Sequence, residues 1–229
     1  MNGLEILDDA EAVARAAADD IAATVQRVLS GNDNCHIALP GGGTPARCLE
    51  LLSAMPLPWS RLHWYLGDER CYPRGHAERN DAMIRDRLWS RIDGPENNNH
   101  PIPAELGPEQ AAEIYAALIQ SIGRLDLVVL GMGEDGHTAS LFPGNDALRD
   151  TRAVVPVYNA PKPPPQRVSL GSRTLLAAGR RIVLATGAGK RDALQRVNRG
   201  EDLPVLLAQP DRWLIDSLAA PGIQSHPVH

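Results

Sequence analysis

The sequence predicts an α/β protein, with one mostly parallel sheet covered by helices on both faces, in a single domain over residues 1–229. Three observations carry that prediction. Short apolar runs alternate with stretches of helical spacing along nearly the whole chain. One run, LDLVVL (125–130), is almost unbroken, the pattern of a strand covered on both faces. No internal repeat is present, and the alternation continues for 63 residues past the single proline-dense stretch, NAPKPPPQ (159–166), which reads as a stiff surface loop.

The elements follow in order. Residues 8–30 are alanine-rich with apolar positions at helical spacing. HIAL (36–39) is a short buried strand stopped by Pro40 and three glycines. A helix over 44–55 is expected to start with Thr44 as N-cap and Pro45 at the first helical position. LHWYLG (62–67) is a strand; 78–92 and 108–123 are helices, the second closed by glycine. AVVPVY (153–158) suits an edge strand, because Pro156 removes a ladder donor. RVSL (167–170), 180–186 and 212–216 are further strands, and 189–198 a helix. The tail from Ala219 is expected to be loose.

Composition narrows the function. The net charge of −5 and the lack of a basic segment argue against nucleic acid or an anionic membrane surface as partner. No apolar run approaches the roughly 18 residues of a membrane span, and the N-terminus lacks the pattern of a signal peptide. Three scattered cysteines suit a reduced cytoplasmic protein. The histidines show no HxxxH or HExxH spacing, so no metal is expected. Of the 23 basic residues only Lys162 and Lys190 are lysines; where this chain keeps a lysine, it does so against its own bias.

Ligands of open α/β sheets bind outside the carboxyl ends of the strands, and three turns there can hold an anion. ALPGGGTPA (38–46) runs from strand through glycines to a helix start, where free N–H groups and a partial positive charge favour a phosphate or sugar hydroxyl. It lacks the lysine of a Walker loop. LATGAGKRDAL (184–194) repeats the grammar and puts Lys190 at a helix start, against the dipole, which makes sense with an anion between them. A solvated surface lysine is the alternative.

The remaining turn, LGMGEDGHTASLFPG (130–144), second of the three along the chain, spells GxGxxG after a strand. It fails the dinucleotide pattern on two counts: no full crossover helix follows before Pro143, and AVVPVYNA ends in Asn159 rather than a carboxylate. The glycines therefore shape a turn presenting Asp135 and His137. A short helix is expected at 138–140, whose dipole would disfavour the protonated imidazole and leave His137 a neutral base at pH 7. In GDERCYP (67–73), alternation sends Asp68 and Arg70 one way and Glu69 the other. Arg70 suits either a phosphate clamp or a local ion pair. Arg167 is a second clamp candidate.

Together these stretches resemble the 6-phosphogluconolactonase family. ALPGGGTP resembles its SGGSTP turn, WYLGDERCYP with the following RND resembles its W…DER.VP…SN segment, and LGMGEDGHTASLFPG is nearly its full signature. QRVSL (166–170) and GAGK (187–190) resemble two later segments. Two departures stand out: Arg79 replaces the usual serine before Asn80, and SLGSRTLL lacks the usual second threonine. The resemblance implies a Rossmann-like fold shared with glucosamine-6-phosphate deaminases and ribose-5-phosphate isomerases. It implies hydrolysis of 6-phosphoglucono-1,5-lactone in the oxidative pentose phosphate pathway, without cofactor or metal. His137, beside Asp135, would activate water. Arg70 and Lys190 would hold the phosphate or the developing negative charge, with Arg167 assisting and Asp68 nearby. Gly42, Gly43 and Thr44 would line the sugar end. The implied partner is a small sugar-phosphate lactone, bound by a monomer or homodimer. Two rivals remain: a deaminase-type isomerase, which needs a glutamate after the histidine that GHTASLFPG lacks, and a non-catalytic sugar-phosphate sensor, which needs no His137.

Overall fold

A computed structural model describes Met1, residues 3–220 and Gly222. The strands are β1 Leu4–Leu7, β2 Cys35–Leu39, β3 Leu62–Leu66, β4 Asp68–Arg70, β5 Asn99–His100, β6 Leu127–Gly131, β7 Val154–Val157, β8 Arg167–Leu170, β9 Arg181–Ala185 and β10 Arg212–Asp216. The helices are α1 Ala10–Leu29, α2 Gly43–Ser53, α3 Asn80–Arg87, α4 Pro108–Ser121, α5 Ser172–Ala177 and α6 Arg191–Asn198. No helix among the described residues is long and apolar enough to cross a membrane. The tail expected to be loose begins packed: Ala219 and Ala220 are buried and their N–H groups donate to the Asp216 carbonyl, while residues 221 and 223–229 lie outside the described residues.

Seven strands form the main sheet in the order β1-β10-β9-β6-β2-β3-β5, every pair parallel. From β2 the chain steps one way to β3; β6 returns on the other side of β2. The crevice at the carboxyl ends of β2 and β6 is thus a topological switch point. α1 packs on α2 and α2 on α3 on one face. Right-handed crossovers send α4 and α6, whose connections run the opposite way, to the other face. α1 shows how sequence makes the layer. Asp9 caps it through the Ala12 N–H (2.8 Å). Val13, Ala17, Ile21 and Val25 then bury one stripe, the larger side chains contributing about 1.5–3 kcal/mol each.

The structure departs from the sequence reading in five places. β1 was not anticipated: LEIL is short, and its partner β10 lies at the far end of the chain. β4, β8 and β7 leave the main sheet and form a three-stranded antiparallel sheet, with β7 at its edge as Pro156 requires. α2 starts two residues early, with Gly42 at φ 114° in the N-cap place expected of Thr44, whose hydroxyl is taken by Thr186 at 2.6 Å. The helix expected over 78–92 is shorter: α3 begins where Glu69 accepts the Asn80 and Asp81 N–H groups and ends where Leu88 turns out of helical geometry. Residues 138–140 form no helix. Leu141 N–H closes a tight turn on the Thr138 carbonyl (2.9 Å), with Ala139 at φ 47°.

Candidate active site

The three glycine turns leave the neighbouring strands β2, β6 and β9 and meet in one cavity of ≈ 370 Å³ at the switch point. From the first turn, Pro40, Gly41 and Gly42 line it. Gly41 has to be glycine, since a Cβ there would sit 2.1 Å from Asn80 Oδ1. Gly43 and Thr44 do not line the cavity; Thr44 instead ties α2 to the third turn.

The second turn is built around His137. Gly133 N–H donates to the His137 carbonyl (2.8 Å). A Cβ on Gly133 would lie 2.0 Å from His137 Nδ1, so the imidazole rests on a bare α-carbon. Asp135 Oδ1 accepts the His137 backbone N–H (3.1 Å) and meets Nδ1 at 2.6 Å. With a carboxylate as partner, the neutral ring carries its proton on Nδ1 and leaves Nε2 as the basic atom. The ring packs on Phe142 (centroids 4.4 Å apart) and lines the cavity, while Asp135 stands behind it and lines an adjoining cleft. Burial lowers the His137 pKa below its ordinary value, against the opposing pull of Asp135 and Asp68. The expected helix dipole plays no part, because the helix does not exist; desolvation delivers the same neutral base. Burial also acts to raise the Asp135 carboxyl, but the His137 N–H and ring outweigh it and hold the carboxyl below the usual range.

β4 alternates as read. Asp68 and Arg70 line the cavity and Glu69 is fully buried behind them. Asp68 Oδ2 accepts from Ser140 Oγ (2.6 Å) and Oδ1 from Asn80 Nδ2 (3.1 Å), so its carboxylate is fixed on both oxygens. Glu69 accepts the backbone N–H groups of Arg70, Asn80 and Asp81. Burial still pushes its carboxyl up to about 7. Arg79 lies outside the cavity and is almost wholly buried. It pairs with Asp81 and Glu105 and donates to the Tyr72 and Ile102 carbonyls. Its departure from the family pattern therefore leaves Asn80 in place.

Two of the three expected cations carry commitments to the fold. Arg70 and Arg167 are cross-strand partners in the β4–β8 ladder and line the cavity together. Like charges directly opposite are unfavourable unless an anion joins them. Arg70 Nη1 donates to the Glu78 carbonyl, but its buried Nε has no partner among the described residues. Arg167 spends Nε and Nη2 on the carbonyls of Lys162, Pro163 and Pro164 (3.0–3.3 Å), so it braces the proline loop as well as facing the cavity. Lys190 lines the cavity from the third turn, and burial lowers its pKa. That turn is itself fixed by Asp216, which accepts Gly187 N–H on both oxygens. Among the described residues no three His, Cys, Asp or Glu side chains are grouped to hold a metal ion.

Sequence reasoning assigned no role to two groups that line the cavity, Asn80 and Lys162, nor to Ser140, buried behind Asp68. Asn80 and Ser140 reach Asp68 across 12 and 72 residues, a closeness that no local pattern encodes. Lys162 also lines the cavity, and its rarity was the one available signal.

Fold and cavity together define an α/β protein whose switch-point cavity is lined by one imidazole and four cationic side chains, Arg70, Lys162, Arg167 and Lys190. Residues 8–215 match the family described as glucosamine-6-phosphate isomerases/6-phosphogluconolactonase, and the chain belongs to it. It is 33% identical to the 6-phosphogluconolactonase of Mycobacterium leprae, over 96% of this chain and 98% of that one. It is 41% identical to the human 6-phosphogluconolactonase, over 76% of this chain and 74% of that one. The 6-phosphogluconolactonase structure from Thermotoga maritima superposes with a TM-score of 0.88 at 28% identity, covering 95% of this chain and all of that one.

Proposed function

We propose that the cavity hydrolyses 6-phosphoglucono-1,5-lactone to 6-phosphogluconate, the lactonase step of the oxidative pentose phosphate pathway, with His137 as general base. Kinship supports the reaction, since relatives of that name share a third or more of their residues with this chain over most of its length. One geometric observation carries the division of labour: the Asp135–His137 contact of 2.6 Å behind an imidazole that lines the cavity.

Nε2 takes a proton from water as the oxygen attacks the lactone carbonyl. Asp135 steadies the imidazolium. The oxyanion then collapses, the ring C–O bond breaks, and the imidazolium returns its proton to the departing ring oxygen. General-base help of this kind is typically worth 10²–10⁴ in rate, about 3–5 kcal/mol. Arg70, Arg167 and Lys190 supply positive charge for the phosphate and the oxyanion. Arg70 and Arg167 face each other across the β4–β8 ladder and both line the cavity, which supports that role. Gly42 offers backbone to the sugar end, and Asp68, held by Ser140 and Asn80, accepts from a sugar hydroxyl. Gly43 and Thr44 act through the shape of the turn.

Deaminase-type isomerisation needs a second acid–base group, and the Asp68 carboxylate is already engaged on both oxygens. The test feeds the protein freshly generated 6-phosphogluconolactone and, separately, glucosamine-6-phosphate. 6-Phosphogluconate is followed through a coupled dehydrogenase against the spontaneous rate. Acceleration with the lactone alone is the expected result. Turnover of the amino sugar, or ligand binding without any turnover, would replace this reading.

A further inference from the structure

The chain's only two lysines, Lys162 and Lys190, lie 28 positions apart in sequence and line the same cavity. One comes from the proline loop before β8 and the other from the turn before α6. They lie close enough for the Lys162 charge to act on Lys190. Two ammonium groups converging on one space repel each other, and such a pair persists where an anion is to be bound.

The surroundings fix both lysines without satisfying them. Arg167 holds the carbonyls of Lys162, Pro163 and Pro164, and Ala160 N–H closes the loop on the Pro165 carbonyl (3.0 Å). Lys162 is thus carried on a braced segment. Among the described residues neither ammonium donates a hydrogen bond. The nearest anion is Glu134, whose Oε2 lies 3.9 Å from Lys162 Nζ. Its Oε1 lies over Gly189, where a Cβ would come within 3.2 Å, and its charge also acts on Lys190. Glu134, an exposed carboxylate, therefore acts on both lysines, which together offer six donors, and the Asp135 charge adds to it at Lys190. The arginines, by contrast, have already spent several donors on backbone carbonyls.

We propose that Lys162 is a specificity-determining residue: with Lys190 it clamps the phosphate dianion of the substrate, which displaces Glu134 from them. The proposal rests on the lactonase reading for the identity of the substrate, but its electrostatics need only a phosphate. A dianion satisfies both lysines better than one carboxylate held at 3.9 Å. Lys162 and Glu134 then have opposite signs: losing the lysine weakens phosphate binding, and losing the carboxylate strengthens it.

The test titrates inorganic phosphate calorimetrically into the wild-type chain and into Lys162→Ala, Lys162→Arg and Glu134→Gln, at one low ionic strength. KM and kcat are measured in parallel for phosphorylated and unphosphorylated gluconolactone. Lys162→Ala is expected to weaken phosphate about fivefold, Lys162→Arg to recover most of it, and Glu134→Gln to tighten it about threefold. The KM for the phosphorylated lactone follows the same order, with kcat changing less than about twofold and the unphosphorylated lactone responding far less. Unchanged phosphate binding in Lys162→Ala, weaker binding in Glu134→Gln, or equal effects on the two lactones overturns the proposal. A wild-type chain that binds phosphate with these signs yet hydrolyses no lactone would overturn the reaction and leave the clamp standing.

Discussion

Partly buried histidines stand at both ends of the parallel sheet, one at the carboxyl end and three toward the amino end, and the two ends treat them differently. At the carboxyl end a single ring, His137, is held by the Asp135 carboxylate at 2.6 Å and faces a cavity. Toward the amino ends of β2 and β3, His36, His63 and His100 pack on one another. His36 and His63 rings are 5.0 Å apart, and His63 Nδ1 meets His100 Nε2 at 3.2 Å. His36 Nδ1 goes to the Tyr65 hydroxyl. Among the described residues no carboxylate hydrogen-bonds these rings; Asp126 accepts the His36 backbone N–H and acts on that ring only through its charge, and His100 is pushed down to about 4 by burial and by its two histidine neighbours. Burial lowers the pKa at both ends. The carboxylate is what limits the fall for His137, fixes its tautomer and leaves it able to accept and hold a proton. Burial makes a neutral histidine; a paired carboxylate and an open face make a base.

The largest effect expected from breaking this contrast is His137→Ala. Lactone turnover should fall by roughly two orders of magnitude or more, with an unfolding midpoint close to wild type, as coupled assay and calorimetry can read. Gly133→Ala comes next. A Cβ 2.0 Å from Nδ1 forces the imidazole off Asp135, so kcat should drop about 10- to 100-fold with a stability loss of about 1–3 kcal/mol, read by denaturant melts. The smallest effect belongs to the other end. His100 is depressed in the fold relative to an unfolded value of about 6.5, so the unfolded chain binds the proton first as the solution is acidified. The stability that His100 contributes is therefore complete above about pH 6.5 and is lost as the pH falls to about 4. His100→Asn should flatten that part of the stability–pH curve and leave turnover at neutral pH unchanged. A curve as steep as wild type would remove His100 as the cause.

The sequence made one end of the sheet readable and hid the other. Glycine turns after apolar runs are local signals, and they located the cavity, His137, Asp135 and Lys190 before any coordinates. Thr44 misled because its capping chemistry is equally local, while its real partner, Thr186, lies 142 residues away. The helix expected at 138–140 misled in its reason rather than its result, since desolvation performs what a dipole was expected to do. Asn80 and Ser140 were illegible for the same cause as Thr186: each is defined by a contact with Asp68 that only the folded chain makes. The histidine stack arises from strand register, His36 beside His63 and Tyr65 beside His100, and has no sequence signature.

The central claim is that Asp135 makes His137 a base, and the pH dependence of kcat/KM in wild type and Asp135→Asn tests it most directly. Wild-type activity should fall as the pH drops through a His137 pKa below the ordinary value of about 6.5. In Asp135→Asn the acid limb should move to lower pH, because the carboxylate that favoured the protonated ring is gone, and the plateau should fall about tenfold or more. An acid limb that stays in place, with a plateau within twofold of wild type, would contradict the account.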